Sequence, residues 1–277
     1  MSRKVILIIL DGLGWRTART LLGNIEGWVE KGDAAVWKMR ATLPSVSGPC
    51  YASIHTGVTP QEHGIVDNYK LQRVGVPDIF SEARGAGRTT AAAAHSLFSN
   101  YFQRSPFDIY RDLEVDDESL PIQHARFYTM SGETKANMAV PSEADLFAQS
   151  ALMIDRHQPD YLLIHTCTVD STGHRYGPDS AEMDHVVYVL DGVLGNIVPR
   201  WLDQGYEIMI TADHGQTQRG HHGGTTDDMR DVAFYYFGDG AGPEGNAVLD
   251  QLQIAPTVLS RLGVAPAGSM KFKSFLS

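Results

Sequence analysis

Cysteine is scarce in this chain of 277 residues, with only Cys50 and Cys167 present. That excludes a disulfide-stapled fold, and two thiols close to acidic and imidazole-rich segments are expected to stay free. No apolar run approaches the ~20 residues of a membrane span, so no membrane partner is expected. Met1-Ser-Arg-Lys4 leads straight into an apolar stretch too short for the core of a signal peptide, which points to a soluble, reducing, cytoplasmic setting. Positive charge is also in short supply. The 23 Lys and Arg against 33 Asp and Glu leave a formal charge of −10, which argues against a nucleic-acid polymer as partner.

What is present is enough apolar material, 43%, for one large α/β domain over 1–277. Apolar runs recur at 5–10, 161–166, 206–211 and 232–237 with stretches of helical period between them. This is the pattern of a mainly parallel central sheet sandwiched by helices. Leu21, Leu22, Ile25, Trp28 and Val29 share a face of one helix over 18–31, stopped by Gly32. Ser142 is the expected N-cap of a second over 142–157, and a third covers about 180–198, with Pro199 as its end or kink. Between these, 101–141 carries a weak pattern and reads as a small insert or lid.

The chemistry lies in short polar stretches that follow strands. Thr168-Val-Asp-Ser-Thr-Gly-His174 and Thr211-Ala-Asp-His-Gly215 each come after an apolar run, and Gly220-His-His-Gly-Gly224 lies just beyond. Asp11 ends the first run. Carboxylates and neutral imidazoles together suit a borderline divalent ion such as zinc, and Asp170, His174, Asp213, His214 and His222 exceed what one tetrahedral ion needs. Two metals are therefore expected, Zn²⁺ first and Mn²⁺ as the alternative. The Asp-Ser-Thr-Gly turn formers favour a loop over a helix for Asp170 and His174. In Thr42-Leu-Pro-Ser-Val-Ser-Gly-Pro49 a helix can start from about Pro49, and Ser47 just before it would meet the positive field of the helix end. Ser47 is the expected nucleophile, with Ser45 and Thr42 close by and an N-cap role open to the same hydroxyl.

Together with Leu43-Pro-Ser-Val-Ser-Gly-Pro49, His55-Thr-Gly57 and Glu62-His-Gly-Ile-Val-Asp-Asn68, these motifs resemble the alkaline phosphatase superfamily, nucleotide pyrophosphatase/phosphodiesterase branch. The resemblance implies that Asp170, His174 and His222 hold one ion, while Asp11, Asp213, His214 and the Ser47 oxygen hold the other. His222 is preferred to His221 because it directly precedes glycine. The implied activity is two-metal hydrolysis of a small phosphate ester, most simply a phosphodiester, through a phosphoseryl intermediate. Three carboxylates against two divalent ions leave one positive charge, which a Ser47 alkoxide would neutralise.

Two positions depart from the pattern. The branch commonly uses threonine as nucleophile and, after two intervening residues, an asparagine that donates to a phosphoryl oxygen; here Ser47 and Cys50 stand there. A thiol is a poor donor, so the Gly48 backbone N–H or another residue would have to substitute, and the helical position of Cys50 favours its merely packing. Gly48, Cys50 and Asn68 are the expected substrate-binding residues. The sequence also leaves open phosphonate C–P hydrolysis, phosphomonoester hydrolysis or a phosphomutase on the same scaffold, and it does not specify an oligomeric state.

Overall fold

The computed structural model describes residues 3–132 and 140–277. Nine strands form one sheet: β1 (Lys4–Leu10), β2 (Ala35–Arg40), β3 (Thr90–His95), β4 (Glu114–Asp116), β5 (His124–Tyr128), β6 (Tyr161–Thr166), β7 (Tyr206–Thr211), β8 (Asp231–Phe237) and β9 (Val248–Asp250). Their order is β4-β5-β3-β6-β1-β7-β8-β2-β9. β1 pairs in parallel with β6 and β7, β3 with β5 and β6, and β2 with β9; β8 runs antiparallel to both β7 and β2, and β4 to β5. The sheet is thus mainly parallel, as the apolar runs imply.

The main helices are α1 (Trp15–Leu21), α2 (Gly23–Lys31), α3 (Ser47–Thr56), α4 (Ile79–Gly85), α5 (Ser96–Phe102), α6 (Glu143–His157), α7 (Thr168–Tyr176), α8 (Ala181–Asp203) and α9 (Ile254–Arg261). Val5 to Leu10 is buried throughout, which is why β1 reads as an unbroken apolar run rather than an alternating one. Each such side chain contributes about 1.5–3 kcal/mol of burial free energy.

Several boundaries differ from the sequence reading. The helix expected over 18–31 is two helices, broken at Leu22, although the second does end on Gly32 in the left-handed conformation. Ser142 caps α6 by accepting from the Asp145 N–H. Pro199 does not end α8, which continues to Asp203. The stretch 101–141 supplies β4 and β5 to the sheet edge rather than forming only an insert or lid; its part at 133–139 lies outside the described residues. Its pattern is weak because the edge strand β4 exposes Glu114 and Asp116, and β5 carries their polar partners Arg126 and His124.

Candidate metal centre and nucleophile

Three adjacent strands of the sheet centre, β6, β1 and β7, end side by side. Asp11 follows β1, α7 with Asp170 and His174 follows β6, and Asp213 and His214 follow β7. The carboxyl ends of parallel strands are where sites gather in such sheets. The backbone makes this convergence possible. Gly12 has φ +76° and donates to Asp213 Oδ1 at 3.1 Å, and a Cβ there would come within 2.9 Å of the Asp170 backbone.

Asp170 and His174 lie on a helix and not, as expected, in a loop. Their i, i+4 spacing puts both on one face, with His174 Nε2 3.3 Å from Asp170 Oδ2. Gly173, which reads as a turn signal, is instead the point where Gln216 packs against the helix. Gln216 Nε2 donates to Asp170 Oδ1 at 2.6 Å.

Among the described residues, each carboxylate at the deep end keeps one oxygen without a hydrogen bond. Asp213 Oδ1 accepts from the N–H of Gly12 at 3.1 Å and of His214 at 2.9 Å, while Oδ2 is buried without a hydrogen bond. Asp11 Oδ2 accepts from the Tyr51 hydroxyl and, at 3.5 Å, from the Cys167 thiol, and Oδ1 is bare. His214 Nε2 sits 3.1 Å from Asp213 Oδ2, 3.6 Å from Asp11 Oδ1 and 3.2 Å from Ser47 Oγ. Its Nδ1 is engaged by the Gly215 carbonyl at 3.2 Å, which leaves the Nε2 lone pair for the centre.

The outer end is built alike. His222 Nδ1 donates to the Ser45 carbonyl at 3.1 Å, so its Nε2 lone pair faces inward, 3.1 Å from His174 Nε2 and 3.8 Å from Asp170 Oδ1. The Ser45 hydroxyl, through Gly223 N–H and the Gly224 carbonyl, ties that loop to the entrance of α3. The neighbouring His221 is exposed.

The donor set fits divalent cations. Burial, with the charge of Asp11, pushes the Asp213 carboxyl well above its ordinary range. At Asp11 burial acts upward too, but hydrogen bonding from His165 and the charge of His214 outweigh it and hold the carboxyl far below. Only added positive charge lets both carboxylates ionise together. Burial also pushes His214 down to about 4, so its imidazole is neutral and able to ligate. The hydrogen bond to Asp170 lifts half-exposed His174 up to about 9, so a cation bound there displaces a proton.

The helix start beside Ser47 is shifted by two residues from expectation. α3 starts at Ser47 itself, after Val46 in extended conformation, and not at Pro49. Two of the three expected substrate-binding residues are otherwise employed. Gly48 N–H donates to Asn68 Oδ1 at 2.7 Å, and Cys50 is fully buried with its thiol 3.8 Å from the Pro44 carbonyl. Because a backbone N–H requires an oxygen, the Asn68 carboxamide is oriented with Nδ2 left over as a donor.

His165, Tyr51, Cys167 and Gln216 complete the site and are not among the expected residues. His165 had a signal, an imidazole inside an otherwise apolar strand, and so had Tyr51, one helical turn after Ser47.

The sequence profile described as Type I phosphodiesterase / nucleotide pyrophosphatase matches residues 5–233. An uncharacterized pyrophosphatase/phosphodiesterase of Schizosaccharomyces pombe is 25% identical over 76% of this chain and 44% of its own length. Human ectonucleotide pyrophosphatase/phosphodiesterase family member 7 is also 25% identical, over 78% of this chain and 48% of its own. The chain thus spans less than half the length of these relatives. Murine ectonucleotide pyrophosphatase/phosphodiesterase 5, solved as an inactive form with AMP, shares the fold with a TM-score of 0.73 at 14% identity, covering 99% of this chain and 100% of its own. Phosphonoacetate hydrolase of Sinorhizobium meliloti, solved with phosphonoformate, has a TM-score of 0.54 at 22% identity over 77% of this chain and 57% of its own.

Proposed function

Because the chain belongs to the Type I phosphodiesterase / nucleotide pyrophosphatase family, we propose that it hydrolyses small phosphodiesters or nucleotide pyrophosphate bonds with Ser47 as nucleophile. The observation that carries this reading is the position of Ser47 Oγ, 3.2 Å from His214 Nε2, the same nitrogen that stands 3.1 Å from Asp213 Oδ2 and 3.6 Å from Asp11 Oδ1. Asp11, Asp213 and His214 would hold one divalent ion with Ser47, and Asp170, His174 and His222 the other. Bound there, zinc or a related ion would supply the charge that lowers the seryl pKa and offsets the phosphate.

Ser47 Oγ then attacks phosphorus as the bond to the departing alcohol or phosphate breaks. A phosphoseryl ester forms on Ser47. Water next attacks that phosphorus, the bond to Oγ breaks, and a phosphomonoester leaves with the hydroxyl restored. Ser47 at the first position of α3 gains from the helix-end field, and Asn68 Nδ2 is the side-chain donor for a phosphoryl oxygen.

The test is a metal-reloaded preparation assayed against an aryl phosphodiester, an aryl phosphomonoester, a nucleoside diphosphate conjugate and phosphonoacetate, with Ser47→Ala beside it. Diester or pyrophosphate turnover should dominate and fall by about 10³-fold or more in Ser47→Ala, even with metal supplied in excess. Turnover that survives the substitution rejects the covalent route, and turnover of phosphonoacetate alone transfers the assignment to C–P cleavage.

A further inference from the structure

A second group of metal-ligating side chains lies at the opposite end of the sheet. His124 is the first residue of β5 and pairs with Ala91 at the start of β3, whereas the catalytic centre gathers at the ends where the parallel strands finish. Asp116 faces it from the antiparallel edge strand β4, and His157 closes the group from the last turn of α6. His124 Nδ1 is 2.7 Å from Asp116 Oδ1, and the His124 and His157 rings stack at 3.8 Å with an interplanar angle of 13°. One ligand atom from each of the three lies within 4.8 Å of the other two.

An ion pair between His124 and Asp116 accounts for two of these residues and leaves the third unexplained. Two imidazoles stacked face to face repel when both are protonated, and burial together with neighbouring His124 holds His157 below its ordinary value. Two imidazoles and one carboxylate are a zinc-type donor set, and bonds of 2.0–2.2 Å in a tetrahedral shell place donors roughly 3.4 Å apart. His124 Nδ1 and Asp116 Oδ1 stand closer than that and no donor pair of the three is more than 4.8 Å apart, so small side-chain shifts bring the donors to this spacing. The carboxyl end of α6 adds a favourable field for a cation. Of the two guanidinium groups in this cleft, Arg126 is paired with Glu114 at 3.1 Å, while Arg156 opposes a cation and makes the site weaker than the buried centre.

We propose that Asp116, His124 and His157 bind one zinc-class divalent ion that clamps the β4–β5 edge to the end of α6. Its ligands come from three separate elements, β4, β5 and α6, so the role is to brace, with solvent completing the shell. The site is independent of the proposed reaction.

The experiment compares the full chain with His157→Gln, both equilibrated with Zn²⁺ at neutral pH, desalted and counted by mass spectrometry of the metal. The wild type should retain one more ion per chain than the variant, whatever number the catalytic centre holds. Zn²⁺ should also raise its melting temperature by about 2–4 °C more than that of the variant. His157 is partly exposed on a helix, so the variant keeps the fold, and His124→Gln provides an independent second loss. Equal zinc content in wild type and both variants overturns the assignment.

Discussion

His165 Nε2 stands 2.7 Å from the Tyr51 hydroxyl, which in turn donates to Asp11. Since that hydroxyl proton is used on the carboxylate, the His165 ring must carry its proton on Nε2, and its Nδ1 accepts from the Tyr128 hydroxyl at 2.8 Å. Three buried side chains, from β5, β6 and α3, therefore set where Asp11 points at the end of β1. Tyr51 also stands one turn after Ser47, so the same chain fixes the nucleophile helix relative to a ligand of its proposed metal.

Replacing Tyr51 by Phe isolates this role. The ring keeps its stack on Phe98, 4.6 Å away, while Asp11 loses a donor. We expect turnover to need 10- to 100-fold more metal, or to fall by about that factor at fixed metal, with little change in melting temperature. A wild-type metal titration curve in Tyr51→Phe would show that the hydroxyl merely packs.

Asn68 separates binding from folding. Asn68→Asp keeps an oxygen for the Gly48 N–H and replaces the Nδ2 donor with a negative oxygen. Loss of a charge-assisted hydrogen bond is worth about 1.5–3 kcal/mol, so kcat/KM should drop by roughly 10- to 100-fold, with unchanged stability and metal content. Unaltered kcat/KM would place the phosphate elsewhere.

Gly173 tests the packing behind Asp170. Alanine in a helix gains about 1 kcal/mol in propensity over glycine, but a Cβ here overlaps Gln216 Oε1, and Gln216 is what holds Asp170. The clash should win. Gly173→Ala and Gln216→Ala should each weaken metal binding, and the double variant should be no worse than Gln216→Ala alone, because both act through one contact. Additive losses would mean that Gly173 matters for another reason.

The legible parts of this protein are those where one physical demand acts on consecutive residues. Val5–Leu10 is buried on both faces, so its strand is visible as an apolar run, and the candidate ligands that sit directly after such runs are visible with it. Asp11, Asp170, His174, Asp213, His214 and His222 do come together. The helical state of Thr168–Tyr176 was hidden because Gly173 answers to a neighbour distant in the chain, not to its own backbone. β4 was hidden by the polar residues of an open edge, and β5 by His124 and Arg126, which pair with them. Their group at Asp116, His124 and His157 spans three separated segments, and no spacing rule joins them. The antiparallel sense of β8 was equally unreadable, since Asp231–Phe237 is as buried as any parallel strand.

Acid stability offers a prediction independent of the metals. His55 is fully buried among Phe80, Phe98, Phe102 and Tyr161, and burial pushes its imidazole down to about 3. As pH falls below the unfolded value of about 6.5, the unfolded chain takes a proton that the folded chain refuses until about 3. The stability linked to His55 is therefore whole above 6.5 and is lost as pH falls through that window, with a slope of at most about 1.4 kcal/mol per pH unit. Asp78 acts in the opposite sense. Its burial raises the carboxyl to about 6, so its contribution is present below about 4 and lost as pH rises through 6, which masks the slope of His55 in the wild type. A difference measurement removes the mask. Urea unfolding of wild type and His55→Gln from pH 8 to pH 4 should show the variant most handicapped at pH 8, where it lacks the packed ring and its bonds to the Tyr51 carbonyl and the Tyr161 hydroxyl. The handicap should shrink steadily below pH 6.5. A gap between the two proteins that stays constant with pH would mean that His55 binds its proton equally in both states.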